Sequence, residues 1–139
     1  MSADLDRTAR TYAAAADHYD GPTLGFWRRY GRQTVARLGL RPGDRVFDAC
    51  CGSGESALAA AEAVGPDGSV LGVDLAGPLL DLAAAKATAA GRHNVEFRRG
   101  DAARTGWRDG GFDAVVCVFG VFFAAAFRRD FFAADTAPF

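Results

Sequence analysis

Four short apolar runs, spaced through residues 45–118, constrain the fold of this chain most. They are Arg45-Val46-Phe47-Asp48-Ala49-Cys50, Ser69-Val70-Leu71-Gly72-Val73-Asp74, Val95-Glu96-Phe97-Arg98-Arg99 and Phe112-Asp113-Ala114-Val115-Val116-Cys117-Val118. Runs of this length and content read as buried strands. Between the first and second lies Glu55 to Val64, an alanine-rich helix closed by the Gly65-Pro66-Asp67-Gly68 turn. Between the second and third lies Leu79 to Ala90, with Pro78 at the first helical position and Gly91 as the stop. Strands alternating with helices predict an α/β fold: a Rossmann-like parallel sheet with helices on both faces.

The residues before this region predict two helices, at about 4–19 and 23–38, broken by Asp20-Gly21-Pro22. A weak helix is expected at about 124–133. At 139 residues the chain has the length of one domain. We divide it into N-terminal lead-in helices (1–39), a cofactor-binding core (40–123) and a short tail (124–139).

Sixteen basic residues face seventeen acidic ones, so no strong field draws the chain to nucleic acid. The start, Met1-Ser2-Ala3-Asp4-Leu5-Asp6, is acidic and lacks the apolar stretch of a secretory signal. No apolar run reaches the roughly 18 residues of a spanning helix. A cytoplasmic address is expected. Cys50 and Cys51 are adjacent and Cys117 is distant, a spacing unsuited to zinc or to a disulfide framework. They read as small, reduced, buried thiols.

In open parallel sheets, ligands bind beyond the carboxyl ends of the strands. Three runs end at or beside an aspartate: Asp48, Asp74 and Asp101. Gly52-Ser53-Gly54 sits between the first strand and its helix, where two glycines permit a tight turn and close ligand approach. By itself it is equally an ordinary glycine turn. Asp74 follows Gly54 by 20 residues, the place of an acid that accepts hydrogen bonds from ribose hydroxyls. Asp48 argues against a pyrophosphate at the turn, because like charges repel, and it suits the cationic S-adenosylmethionine. Asp101 reads either as a partner for the adenine amine or as a turn cap. Leu75 and Ala102 are placed to line the adenine faces.

Together these segments resemble class I methyltransferases, and more narrowly the small-molecule type that includes ubiquinone/menaquinone-biosynthesis C-methyltransferases. The resemblance runs from residue 40 to about 123. It includes Leu40 to Gly54, Gly65 to Gly68, Val70 to Asp74, Asn94 to Phe97, Gly100-Asp101-Ala102 and Phe112 to Cys117. It implies S-adenosylmethionine as methyl donor, S-adenosylhomocysteine as product and a small-molecule methyl acceptor. By position it implies Asp48, Gly52 and Gly54 near the methionine part, Asp74 on the ribose, and Asp101 with Ala102 at the adenine. Val118, Phe119 and Gly120 would face the transferred methyl. Tyr12 and Tyr19-Asp20 look like the family's Tyr-Asp helix that closes over the cofactor, although packing tyrosines fit the same pattern. His18 is a weak candidate base, and His93 reads as a solvated turn residue.

There are two departures. Cys50 stands where the family's first motif usually has glycine, which matters if that backbone has positive φ. The family's sheet usually has seven strands, and the runs here supply four, in the expected order 3-2-1-4. That order leaves Phe112 to Phe123 as an apolar edge, which invites self-association. A chain that holds S-adenosylmethionine without turnover is the alternative to an enzyme, and a nicotinamide-dependent oxidoreductase is a third reading, which Asp48 and the resemblance disfavour.

Overall fold

The computed structural model describes residues 3–21, 25–104 and 111–120. Two helices lead in, α1 (Ala3–Ala14) and the four-residue α2 (Ala16–Tyr19), followed by α3 (Phe26–Arg37). The expected single helix at 4–19 is therefore broken at Ala15. Then come β1 (Arg45–Ala49), α4 (Glu55–Val64), β2 (Ser69–Asp74), α5 (Gly77–Ala89) and β3 (Val95–Arg99). A 3-10 turn (Ala102–Arg104) and β4 (Ala114–Val116) complete the described elements. The expected helix at 124–133 and the far end of the proposed edge, Val121 to Phe123, lie outside the described residues.

The four strands are parallel, in the order β3-β2-β1-β4. Register aligns Arg45 with Ser69 and Asp48 with Gly72 across β1 and β2, and Asp48 with Val116 across β1 and β4. Strand side chains alternate between faces, so β1 divides its residues between two cores. Val46 joins Val70, Val116 and the apolar stripe of α4, Ala57, Ala60, Ala61 and Val64. Phe47 and Ala49 point the other way, with Val73, and are covered by Ala102, Ala103 and Phe112. Helical segments thus cover both faces, α-helix on one and the 3-10 turn on the other.

Why α4 stops where it does can be read locally. Gly65 adopts φ +69, and the Asn94 side-chain amide donates to the carbonyls of Ala61 and Gly65 at 2.9 and 2.8 Å. Carbonyls that have run out of helical partners are thereby satisfied. The same contact ties the start of β3 to the end of α4. α3 lies against α4 through Gly31, where an added Cβ would come within 3.0 Å of the Ser56 backbone nitrogen. Two helices approach this closely only over a residue without a side chain. The third core cluster, Ala16, Tyr19, Ala76 and Leu79, seats α2 on α5.

Candidate functional site

A cavity opens beyond the carboxyl ends of all four strands. Its walls come from the residues following each: Cys50 and Gly52 after β1, Leu75 after β2, Gly100 and Ala102 after β3, Val118 and Phe119 after β4. Asp74, the last residue of β2, joins them. Tyr12 and Tyr19 of the lead-in helices form the outer wall, together with Trp27 of α3.

Asp74 organises the floor. Its Oδ2 accepts the Gly52 N–H and its Oδ1 accepts the Ala76 N–H, both at 2.9 Å. One carboxyl therefore fixes the glycine turn after β1 and the start of α5. Each oxygen has a second lone pair and can still accept from a ligand hydroxyl. Burial raises the Asp74 pKa, and the backbone N–H groups of Ala76, Gly52 and Leu75 oppose that rise. Gly52 and Gly54 have φ of +53 and +85, a region that favours glycine. A Cβ at Gly54 would overlap Ala83 Cβ at 2.8 Å and crowd the Phe97 ring. Gly54 is thus a packing requirement and does not line the cavity. Ser53 is 2% exposed and lines an adjoining cleft with Tyr19, Trp27 and Gly52.

Cys50 has φ +58, so the side chain that replaces a family glycine does sit in left-handed backbone. It lines the cavity and shares a hydrogen bond with the Cys117 thiol. That contact and burial push the Cys50 thiol pKa up, and burial does the same at Cys51, so both are held as neutral thiols. Phe119 is the other non-glycine residue with positive φ (+60) among those described. Its ring meets Phe26, Trp27 and Tyr30 of α3 edge-on, at centroid distances of 6.4, 5.5 and 5.6 Å. Tyr19 stacks on Trp27 at 5.3 Å and meets Tyr12 edge-on at 6.2 Å. Burial raises both tyrosine pKa values, which keeps these hydroxyls protonated.

Two further aspartates lie off the cavity wall. Asp48 is fully buried beneath the turn and does not line the cavity. The Ser56 hydroxyl donates to its Oδ2 at 2.6 Å. Burial raises its pKa to about 8, against the smaller lowering by Ser56. At neutral pH the group is mostly protonated, so the charge argument against a pyrophosphate does not hold at Asp48. No lysine or arginine of the described residues lines the cavity. Asp101 accepts the Ala103 N–H at 2.9 Å, capping the 3-10 turn, and also lies off the cavity wall. His18 is exposed and lies off the wall as well.

The comparisons with known proteins agree with this geometry. A family described as a methyltransferase domain matches residues 46–134. The chain belongs to the class I S-adenosylmethionine-dependent methyltransferases. It is 32% identical over 120 residues to a demethylmenaquinone methyltransferase of Geobacillus stearothermophilus, covering 84% of this chain and 51% of that protein. It is 38% identical over 97 residues to the nocamycin O-methyltransferase of Saccharothrix syringae, covering 70% of this chain and 35% of that protein. Among solved structures, a SAM-dependent O-methyltransferase of Thermotoga maritima superposes with a TM-score of 0.58 at 26% identity, over 64% of this chain and 34% of that one. The chain spans about half or less of the length of these curated relatives.

The cavity also includes residues that sequence reasoning did not single out. Trp27 is one, and the near-helical spacing of aromatics in α3 was its only signal. Thr8 and Ala9 of α1 and Leu79 of α5 are others, and nothing in their local sequence marks them.

Proposed function

We propose that this chain binds S-adenosylmethionine in the cavity beyond the strand ends and transfers its methyl group to a small-molecule acceptor, leaving S-adenosylhomocysteine. The observation that carries this reading is Asp74 pinning Gly52 at the mouth of the sheet, within a wall that holds no side-chain cation among the described residues. The cofactor's own ammonium and sulfonium suit the faces of Tyr19 and Trp27.

On this reading, Asp74 accepts from the ribose hydroxyls. Leu75 and Ala102 flank the adenine, with Asp101 beside them. Gly52, Ser53 and Cys50 pass under the methionine part, and Gly54 and Asp48 support that turn from below. Val118 and Phe119 face the methyl, and Tyr12 and Tyr19 shut out water. The bound cofactor supplies an already activated methyl, so the protein acts chiefly by orienting the reactants. The demethylmenaquinone and nocamycin relatives support a small organic acceptor. We further read residues 1–139 as a single domain with its lead-in helices at 1–39, its cofactor core at 40–123 and its tail at 124–139. Near-balanced charge supports a chain that does not seek nucleic acid. Among the described residues no helix is long and apolar enough to cross a membrane. A cytoplasmic address fits the free thiols of Cys50, Cys51 and Cys117.

The test is a calorimetric titration with S-adenosylhomocysteine. Saturable binding is expected, weakened more than about tenfold in Asp74→Ala, the loss of roughly one charged hydrogen bond. A folded chain that binds nothing would sink the proposal.

A further inference from the structure

Outside the cavity wall, one side chain gathers three separate elements. Lys86, on α5, places its Nζ 2.9 Å from Asp20 Oδ2, 2.9 Å from Glu55 Oε1 and 3.4 Å from Ser53 Oγ. An ammonium has three N–H donors, and these contacts use all of them. The Ser53 hydroxyl donates in turn to Asp20 Oδ1 at 2.6 Å. Arg28 of α3 lies 3.5 Å from the other oxygen of Glu55, so two cations face two carboxylates. The cluster is shielded: the side chains of Lys86, Asp20 and Glu55 are 25, 28 and 15% exposed. The Arg7–Asp4 pair, by contrast, is 76 and 87% exposed, and pairs of that kind contribute little.

The position of the cluster gives it a task. Asp20 follows Tyr19 directly and ends α2. Ser53 is the middle residue of the glycine turn. The Tyr19 hydroxyl lies against that turn, 3.5 Å from where a Cβ on Gly52 would lie. Helix α2 has four residues and no side-chain N-cap, too little to hold itself in place. Tertiary contacts must therefore seat Tyr19. The stack on Trp27, the edge contact with Tyr12 and the packing on Ala76 and Leu79 hold its ring, and the ammonium contacts at Asp20 hold the end of the helix.

We propose that Lys86 is a positioning residue for cofactor exchange: it clasps Asp20 to the glycine turn, holds Tyr19 closed over the Gly52 end of the cavity, and must let go for the cofactor and its product to pass. The inference rests on the cofactor reading above. Without the ammonium, Asp20 and Glu55 would face each other as like charges and the end of α2 would lose its tie to the glycine turn.

The experiment follows release of S-adenosylhomocysteine by stopped flow, read through Trp27, whose ring stacks on Tyr19. Trp107→Phe leaves Trp27 as the sole tryptophan of the two in the chain. Lys86→Met keeps most of the apolar stem and removes the charge. It is expected to raise the dissociation rate about tenfold, the equivalent of one charged hydrogen bond, with the association rate changed less than about twofold. Lys86→Arg should restore release to within about threefold of the parent, because it returns the cation. Asp20→Asn should also speed release, and the double variant should release no faster than the quicker single one, since both open the same clasp. A merely structural lysine would lower the thermal midpoint and leave release unchanged. A folded Lys86→Met with parental release, or effects that add in the double variant, overturns the inference alone. If Lys86→Met does not fold, Asp20→Asn decides by the same criterion. A parent chain that binds no S-adenosylhomocysteine overturns the cofactor reading and the clasp with it.

Discussion

At the scale of single residues, the glycine turn and the acid beneath it behave in opposite ways. Gly54 is fixed twice, by φ +85 and by Ala83 Cβ at 2.8 Å from an added Cβ. Gly39 also has positive φ (+63) but nothing within 4 Å. Gly54→Ala should therefore lose roughly 2–4 kcal/mol, backbone strain plus overpacking, while Gly39→Ala should lose about 1 kcal/mol from strain alone. Urea denaturation of the two variants checks the difference. Asp48 makes stability depend on pH. The folded chain holds its proton up to about 8, whereas the unfolded chain releases it near 3.8. Between those values the folded state binds more protons, so stability falls as pH rises through that window. Asp74, also raised by burial, adds to the same slope. The thermal midpoint should fall from about pH 5 to about pH 8 and fall less in Asp48→Asn, a neutral replacement of nearly the same shape.

At the scale of elements, the short distance between α3 and α4 is what brings aromatic side chains to the cavity. The two helices meet at Gly31, where a Cβ would lie 3.0 Å from Ser56 N and 3.3 Å from the Glu55 carbonyl carbon. Trp27 sits one turn earlier on α3 and stacks on Tyr19. Gly31→Val should push the helices apart and lose about 1–3 kcal/mol by overpacking. Because Trp27 moves with α3, the same variant should shift tryptophan emission and weaken S-adenosylhomocysteine binding. A stability loss with unchanged emission and affinity would show that α3 does not set the position of the outer wall.

At the scale of the molecule, the sheet has two unlike edges. β3 exposes Glu96, Arg98 and Arg99 on the outer side of the order, and charge at an edge discourages further pairing. β4 is the other edge among the described strands, with the sequence Ala114-Val115-Val116 and Val115 36% exposed. An apolar edge invites pairing with a second copy. The 139-residue chain should therefore show a light-scattering mass that climbs with concentration, and Val115→Lys should lower that climb. A mass equal to that of a monomer at all concentrations would remove the case for self-association.

The sequence by itself determined the strand pattern and the glycine turn, because these depend on local periodicity and on backbone freedom at neighbouring positions; the order 3-2-1-4 came from the family resemblance. β2, α4 and β3 fall where the apolar runs and turn residues put them. Asp74 was legible for the same reason: its spacing from the turn is fixed by one strand–helix–strand unit. Tertiary structure alone decided what Asp48 does, whereas Asp101 caps its own turn two residues away, a reading its sequence already offered. Asp48 alternates with Phe47 and Ala49 along β1, and only packing against Ser56 of α4 turns it into a buried, protonated group. Helical spacing put Trp27 on a face of α3 and nothing marked Lys86, because their roles come from residues distant in the chain: Trp27 meets Tyr19 and Phe119, and Lys86 meets Asp20, Ser53 and Glu55. Periodicity places a side chain on a face, but which distant charges and rings that face meets is set only when the helices dock.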